Sequence, residues 1–380
     1  TLFGAASQTG TLRIITNKPN MDGVSGEVFG SLATTKGGDP SYEANGWVNI
    51  PLGDSFALRG VAYYVQEGGY IDNVLANTFR GPTETGPDFP TTNAAIVEDD
   101  YNEFELTGGR ITALWNLADE LSVTLAVITE SSTADGAWES DPSIGDFEVA
   151  RFFDEYREDD WTNVGLTIQA DLGFASFTSN TSYFDRKIVY EWDNMYYEQY
   201  KDSYYGYYAY YGYGYPVYHS QYTFGRYLND QNLDRVALEF RLASQSDSRL
   251  QWMAGLFYED VHDDWYYGSI NEQLMDTTAW YAAQYYAYYF NYYGYPVDYP
   301  LAPTIIGYSN ILDRDVEQTS IFGEISLDIN DKWRLVGGAR WFEYDRYHFT
   351  QNQFPEGVPP WGGHQPMRFK PAEFNRIVTS

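Results

Sequence analysis

Apolar and polar residues alternate with a period of two along most of the chain. Between Leu233 and Leu242, the side chains of Val236, Leu238, Phe240 and Leu242 fall on one face, and Arg235, Glu239 and Arg241 on the other. Between Thr319 and Asn330, Ile321, Ile325, Leu327 and Ile329 share a face with Gly323, opposed by Ser320, Glu324, Ser326 and Asp328. From Trp333 to Trp341 the two tryptophans, Leu335 and Ala339 oppose Arg334 and Arg340, and Leu121, Val123, Leu125 and Val127 alternate with smaller or polar residues. Such a pattern marks strands with one apolar and one polar face. It predicts eleven strands, over 24–35, 41–50, 55–66, 102–116, 121–130, 162–170, 174–189, 232–244, 249–260, 316–329 and 333–347. The alternation slips at Gly108-Gly109, where a bulge is expected.

The connections between these strands alternate between short and long. Short turns fall at Pro51 to Asp54, Leu117 to Glu120, Asp171 to Gly173, Gln245 to Ser248 and Asn330 to Lys332. Long connections span 67–101, 131–161, 190–231 and 261–315; only Lys36 to Pro40 is short on the long side. A soluble sandwich has no reason to gather its long loops at one end. Outer-membrane barrels do so, with short periplasmic turns and long extracellular loops. Several strands pass ten residues, enough to cross a bilayer on a tilt. Trp47, Trp115, Trp252, Trp333 and Trp341 lie in or near strands and suit the aromatic girdles of such barrels, although each alone also fits ordinary packing.

The first residues, Thr1 to Pro19, read TLFGAASQTGTLRIITNKP. Small residues let backbone pack closely, and a proline straight after Thr11 to Thr16 keeps that short run out of a sheet interior. The stretch resembles the end of the plug domain of TonB-dependent outer-membrane receptors. Leu2-Phe3-Gly4-Ala5, Gly10, Leu12-Arg13-Ile14-Ile15-Thr16 and Lys18-Pro19 carry the likeness. Thr9-Gly10 departs from it, since many members carry two glycines there. Glu317 to Tyr344, reading EQTSIFGEISLDINDKWRLVGGARWFEY, and Leu250 to Glu259 resemble barrel strands of the same family. The likeness runs through most strand regions and fades in the loops.

The fold expected is therefore all-β: a partial antiparallel transmembrane β-barrel of about eleven strands over 20–380, preceded by the end of a plug domain over 1–19. Plugged outer-membrane transporters have about 22 strands. Eleven is half of that, and a half-barrel with two open edges should not insert stably alone. The chain reads as part of a longer protein, since Thr1 already lies inside the plug-like motif. The missing leader says nothing about export.

Composition narrows the partners. The 380 residues carry 54 acids against 23 bases, a net charge of −31. Nucleic acid is excluded as a partner, because its phosphates need Lys and Arg. With no cysteine, neither a disulfide nor a thiolate metal site can form. The longest uncharged stretches, Ser203 to Gly225 and Thr277 to Val297, are long enough to span a bilayer as helices but are full of Tyr, Gly and Pro. A barrel remains open, because it satisfies its backbone in lipid.

Of the 37 tyrosines, 25 lie in Tyr196 to Tyr227 and Tyr266 to Tyr299, and the two segments share a repeat. Tyr207, Tyr208, Tyr210 and Tyr211 are followed by Tyr213 and Tyr215; Tyr285, Tyr286, Tyr288 and Tyr289 are followed by Tyr293 and Tyr295. These twelve are the candidate ligand-binding residues, on two long loops expected to be neighbours. Tyrosine offers a flat apolar face and one hydroxyl at low entropic cost. The plainer reading is low-complexity sequence that packs on itself or on lipopolysaccharide. Almost no Lys or Arg is interleaved, so the segments are not nucleic-acid platforms. Arg13, Arg235, Glu239, Arg241, Glu324 and Arg340 are the candidate lumen or plug contacts.

Enzyme signatures are lacking. His219, His262, His348 and His364 show no metal-ligand spacing, and there is no nucleophile elbow or phosphate loop. Acidic pairs such as Asp99-Asp100, Asp159-Asp160 and Asp263-Asp264 lack EF-hand spacing and read as solvated loop charge. No cofactor and no metal are expected. The family resemblance implies a receptor of the bacterial outer membrane that captures a scarce nutrient and passes it inward when a TonB-type protein pulls on the plug. It also implies lipid and lipopolysaccharide around the barrel. Ferric siderophores are the first substrate class, with oligosaccharide or cobalamin next. Acidic loops disfavour a strongly anionic catecholate complex, and haem is disfavoured because the loops offer only His219 and His262. A passive porin and a cell-surface carbohydrate-binding protein are the readings from other classes.

Overall fold

The computed structural model describes residues 15–76, 92–195, 197–198, 200–201, 204, 225–245, 248–295, 297–353 and 367–369. One antiparallel sheet dominates. Its long strands are β1 (Ser25–Thr34), β2 (Pro40–Pro51), β3 (Phe56–Glu67), β5 (Phe104–Ala118), β6 (Leu121–Asp135), β8 (Tyr156–Asp171), β9 (Ala175–Asp193), β10 (Arg226–Ser244), β11 (Leu250–Ile270), β12 (Ile306–Asn330) and β13 (Trp333–Gln353). A short β14 (Met367–Phe369) completes twelve strands, each beside its predecessor, and β1 and β14 stand at the two edges. Two dipeptides in the long connections, β4 (Asp72–Asn73) and β7 (Glu148–Val149), pair in parallel outside the sheet. The fold is thus a partial antiparallel barrel, and the described strands do not close it.

All eleven expected strands are present, and the later ones run further. β10 begins at Arg226 rather than 232, β11 continues to Ile270 rather than 260, and β12 begins at Ile306 rather than 316. Above the apolar belt both faces become polar or aromatic, so the period disappears while neighbouring strands still hold the backbone. The loops expected over 131–161, 190–231 and 261–315 shrink accordingly. A helix, α1 (Thr278–Tyr292), occupies the middle of the last. The bulge expected at Gly108-Gly109 is not there: these residues pair in unbroken register with Tyr63 and Ala62, and the shift lies between Asn116 and Ala118. Gly108 has another cause. The Tyr63 ring lies across it, and a Cβ there would overlap the ring, while the Tyr63 hydroxyl donates to Glu130 Oε2 at 2.7 Å.

Directly paired residues share a face, so the register defines two surfaces. One is apolar and open: Val28, Leu32, Ile111, Leu256, Ile325 and Leu335 are all more than half exposed. The other carries Asn49, Arg59, Thr112, Asp159, Asp263, Gln318 and Ser320, all buried. The compact apolar clusters lie in the connections rather than under the sheet. Leu274, Trp280, Ala283, Ala287, Val297 and Leu301 pack around α1, and Ile71, Tyr101 and Val149 pack between the first two long connections. A sheet whose apolar face carries no layer among the described residues is unlike a sandwich, where both inner faces meet in a core.

Most of the plug-like stretch, 1–14, lies outside the described residues. The segment from Lys18 to Gly23 docks on the polar face. Asn49, fully buried, donates to the carbonyls of Asn20 and Gly23, and its Oδ1 accepts from the Asn20 backbone at 3.0 Å. Lys18 Nζ donates to Gln169 Oε1 at 3.1 Å on β8, four places along the sheet from β2.

Candidate functional site

The long-loop end of the polar face is walled with tyrosine. Tyr227 on β10, Tyr267 on β11 and Tyr308 on β12 share that face, through the pairs Asn229↔Tyr267 and Tyr267↔Asn310, with Tyr227 and Tyr308 both opposite Ser269. Ring centroids are 4.9 Å apart for Tyr227–Tyr267 and 6.1 Å for Tyr267–Tyr308. The row continues through Tyr197, 6.2 Å from Tyr227, to Tyr200 and Tyr204 at 6.3 Å each. These are contact distances for offset or edge-on rings. Tyr200 and Tyr204 are exposed, so one end of the row is open to solvent.

The row is rooted on buried charge. Glu198 and Lys201 form an ion pair with both residues almost completely buried. Ser269 Oγ donates to Glu198 Oε1 at 2.5 Å, and Asn194 Nδ2 donates to Ser269 Oγ at 3.2 Å. Lys201 Nζ also stands 5.2 Å from the Tyr197 ring centre, within cation–π range. A buried pair of this kind is worth keeping only while both partners stay hydrogen-bonded, so the network ties the loop to β11.

Helix α1 holds a second tyrosine surface. Thr277 caps its N-terminus, with Oγ1 accepting from Trp280 N at 3.1 Å. Gly294 ends it with φ +83°, which allows Tyr295 N to donate back to Phe290 O at 3.0 Å. Ala279, Trp280, Ala282, Ala283 and Ala287 are buried, and the opposite side shows its tyrosines. Residues four apart on a helix are neighbours. Accordingly Tyr285 meets Tyr289 at 4.8 Å, Tyr288 meets Tyr292 at 6.3 Å and Tyr289 meets Tyr293 at 6.1 Å. Tyr286 lies against Tyr285 at 5.8 Å, and Tyr295 packs edge-on to Phe290 at 5.5 Å. Tyr288, Tyr289, Tyr293 and Tyr295 are exposed.

Four tyrosines of the second repeat, Tyr285, Tyr286, Tyr288 and Tyr289, therefore sit on a helix rather than on an extended loop, with Tyr293 and Tyr295 just past its end. The first repeat, Tyr207, Tyr208, Tyr210, Tyr211, Tyr213 and Tyr215, lies outside the described residues, as does Arg13. Alanines at 279, 282, 283 and 287 carried the helical spacing, obscured by tyrosines on every side.

The five other charged candidates share the polar face. Arg235 Nε donates to Glu259 Oε1 at 2.6 Å. Arg340 stands 5.4 Å from the ring centres of both Phe257 and Phe322. Glu239 is opposite Asn180 and Phe257, Arg241 opposite Thr178 and Gly255, and Glu324 opposite Met253 and Gly338. Sequence reading missed Arg59 and Arg110 on the same face. Arg59 is 6% exposed and lies 3.8 Å over the Trp47 ring, and the Nε atoms of both arginines are buried with no hydrogen-bond partner among the described residues. Ala57, Val61 and Val65 share the Arg59 face of β3, so only the sheet register, not the residue pattern, places these arginines.

A cavity of about 440 Å³ opens between the first two long connections, lined by Asp39, Glu98, Asp100, Glu103, Asp135 and Glu158 with Tyr101 and Tyr156. Burial, then Asp39 and Asp72, holds the Asp100 carboxyl above the usual range. Beneath it, burial raises Glu155 although Arg151 opposes the shift. Burial and Glu155 push the Tyr101 hydroxyl up to about 12. The loop end thus offers aromatic faces and carboxylates.

No protein-family model matches the chain, and no curated protein does. Solved structures do. The ferric yersiniabactin uptake receptor FyuA of Yersinia pestis superposes with a TM-score of 0.63 at 13% identity, over 97% of this chain and 46% of its own. The ferric-catecholate import receptor Fiu of E. coli K12 gives 0.53 at 12% identity, over 98% and 48%. The siderophore receptor PiuA of Acinetobacter baumannii gives 0.51 at 17% identity, over 92% and 48%. The chain spans about half the length of these structures. At such identities the likeness establishes the fold alone, a partial antiparallel β-barrel like those of these structures.

Proposed function

We propose that this chain is part of a TonB-dependent receptor that imports a scarce nutrient across the bacterial outer membrane, with a ferric siderophore as the first substrate class. One observation carries the reading. Among the described residues a single antiparallel sheet leaves its apolar face bare, as lipid contact requires, and builds a tyrosine wall at the long-loop end of its polar face. In this reading the tyrosines of α1 and of the row Tyr197–Tyr227–Tyr267–Tyr308 gather the ligand. The polar face, including Arg59, Arg110, Arg235, Glu239, Arg241, Glu324 and Arg340, meets the plug. A TonB-type protein engages plug segments outside this chain, and lipid and lipopolysaccharide surround the barrel. The ferric complexes named for the neighbouring structures favour iron uptake. Tyrosine faces also suit a sugar ring, which keeps oligosaccharide uptake, ahead of cobalamin, as the second reading.

The test uses the full-length receptor in cells with an energised TonB system. Uptake of iron-loaded siderophores is followed against a panel of oligosaccharides and cobalamin. Energy-dependent uptake of one class is the expected result and identifies the substrate. Uptake that persists without TonB overturns the proposal in favour of a passive pore, and uptake of no compound points to a binding protein.

A further inference from the structure

The outward, apolar-side face changes character above its belt. Val236, Leu238 and Phe240 on β10, Leu256 on β11 and Ile321 and Ile325 on β12 form the belt, and two to four residues further the same face turns acidic. There the register sets Asp234 opposite His262, His262 opposite Asp315, and Asp264 opposite Asp313. Like charges placed side by side on a sheet face destabilise it. Here Asp264, Asp313 and Asp315 converge on one imidazole. His262 Nδ1 is 2.7 Å from Asp315 Oδ1, and Nε2 is 3.4 Å from Asp264 Oδ1. One donor atom each from His262, Asp313 and Asp315 lies within 4.8 Å of the others.

The second observation is Asp313. Its Oδ1 is shut off from solvent and accepts no hydrogen bond from any described residue. A buried carboxylate oxygen without a partner costs free energy that a cation would recover. The only described ion-pair partner of Asp264 or Asp315 is the imidazole itself.

We propose that His262, Asp313 and Asp315 bind a first-row divalent metal ion, of which Zn²⁺ is the type. Imidazole draws such ions, whereas carboxylates alone would draw Ca²⁺ or Mg²⁺. Donors around one zinc stand roughly 3–4 Å apart, given bonds of about 2.0–2.2 Å, so small rotations of these side chains close the set. All three donors rise from rigid, directly paired strands, and the open side of the site leaves positions for water or for an anionic group of the surrounding lipid layer. Bound metal would neutralise the carboxylate row and rivet β11 to β12 above the apolar belt. The site faces away from the tyrosine wall and does not depend on what the receptor transports.

The test is Zn²⁺ binding to the purified full-length receptor in detergent, by calorimetry, alongside its melting temperature with and without Zn²⁺. The expected result is binding that weakens by at least about tenfold in His262→Gln and in Asp313→Asn, since removal of even an outer partner at metal sites has effects of that size. The rise in melting temperature on adding Zn²⁺ should vanish in both variants. His348→Gln, on the opposite face, should bind as the parent does. Undiminished binding in the two site variants, equal loss in His348→Gln, or no binding at millimolar Zn²⁺ overturns the proposal. Ca²⁺ binding that ignores His262→Gln also overturns it, by reducing the site to plain carboxylate charge.

Discussion

Leu238 and Asn180 test the assignment of faces at the level of single residues. Leu238 lies in the apolar belt between Val236 and Phe240, opposite Thr181, while Asn180 is one residue along, opposite Glu239 on the polar face. A lysine at Leu238 should cost about 2–4 kcal/mol of folding stability in bilayer vesicles, the penalty for a cation near the midplane of a barrel's lipid face. Asn180→Lys gains a carboxylate neighbour in Glu239 and should cost far less. Denaturant titration of the refolded full-length protein in vesicles measures both, and equal costs would mean that the belt faces water. The alternation that supports this comparison was readable from the residues alone, because strand period and face are the same fact. Arg59 and Arg110 were harder to read. Each is one arginine amid Leu, Gly and Ile, and only the sheet register puts them on the face of Asn49 and Thr112.

At the level of elements, strand existence was legible and strand length was not. Asp264 and Asp313 lie in the lengths of β11 and β12 beyond the expected ends at 260 and 316, where charge appears on the outer face and no period survives. Helix α1 was hidden for a related reason. Tyrosine is a modest helix former and a good strand former, so a run of tyrosines declares neither. What makes the helix is its apolar stripe, Trp280, Ala283 and Ala287, packed on Leu274, Val297 and Leu301, with Thr277 capping the start. Thr277 is 1% exposed, and its hydroxyl also donates to Leu274 O at 2.6 Å. Thr277→Ala should therefore cost about 1–2 kcal/mol locally, which corresponds to about a five- to thirtyfold faster amide exchange in α1. If exchange in the helix is unchanged while the rest of the protein stays folded, the cap is not what holds the tyrosine surface in place.

For the whole molecule, the two features that matter are a net charge of −31 and the gathering of tyrosines and carboxylates at one end. Under the proposed function, charge at the loop end would set who arrives and aromatic faces who stays, because long-range fields act on encounter while stacking acts on residence. A ferric complex with strong negative charge would then meet a repulsive mouth; a neutral or cationic one would not. Salt separates these cases. Raising ionic strength from about 0.01 to 0.15 M shortens the screening length from about 30 to 8 Å. Association of a cationic complex should then slow, that of an anionic complex should quicken, and that of a neutral one should hardly move, with dissociation rates nearly constant throughout. Stopped-flow quenching of the loop tryptophans and tyrosines by iron-loaded ligands reads both rates. An anionic complex that binds fastest at low salt would mean that basic groups outside the described residues, not the acidic loops, control the entrance.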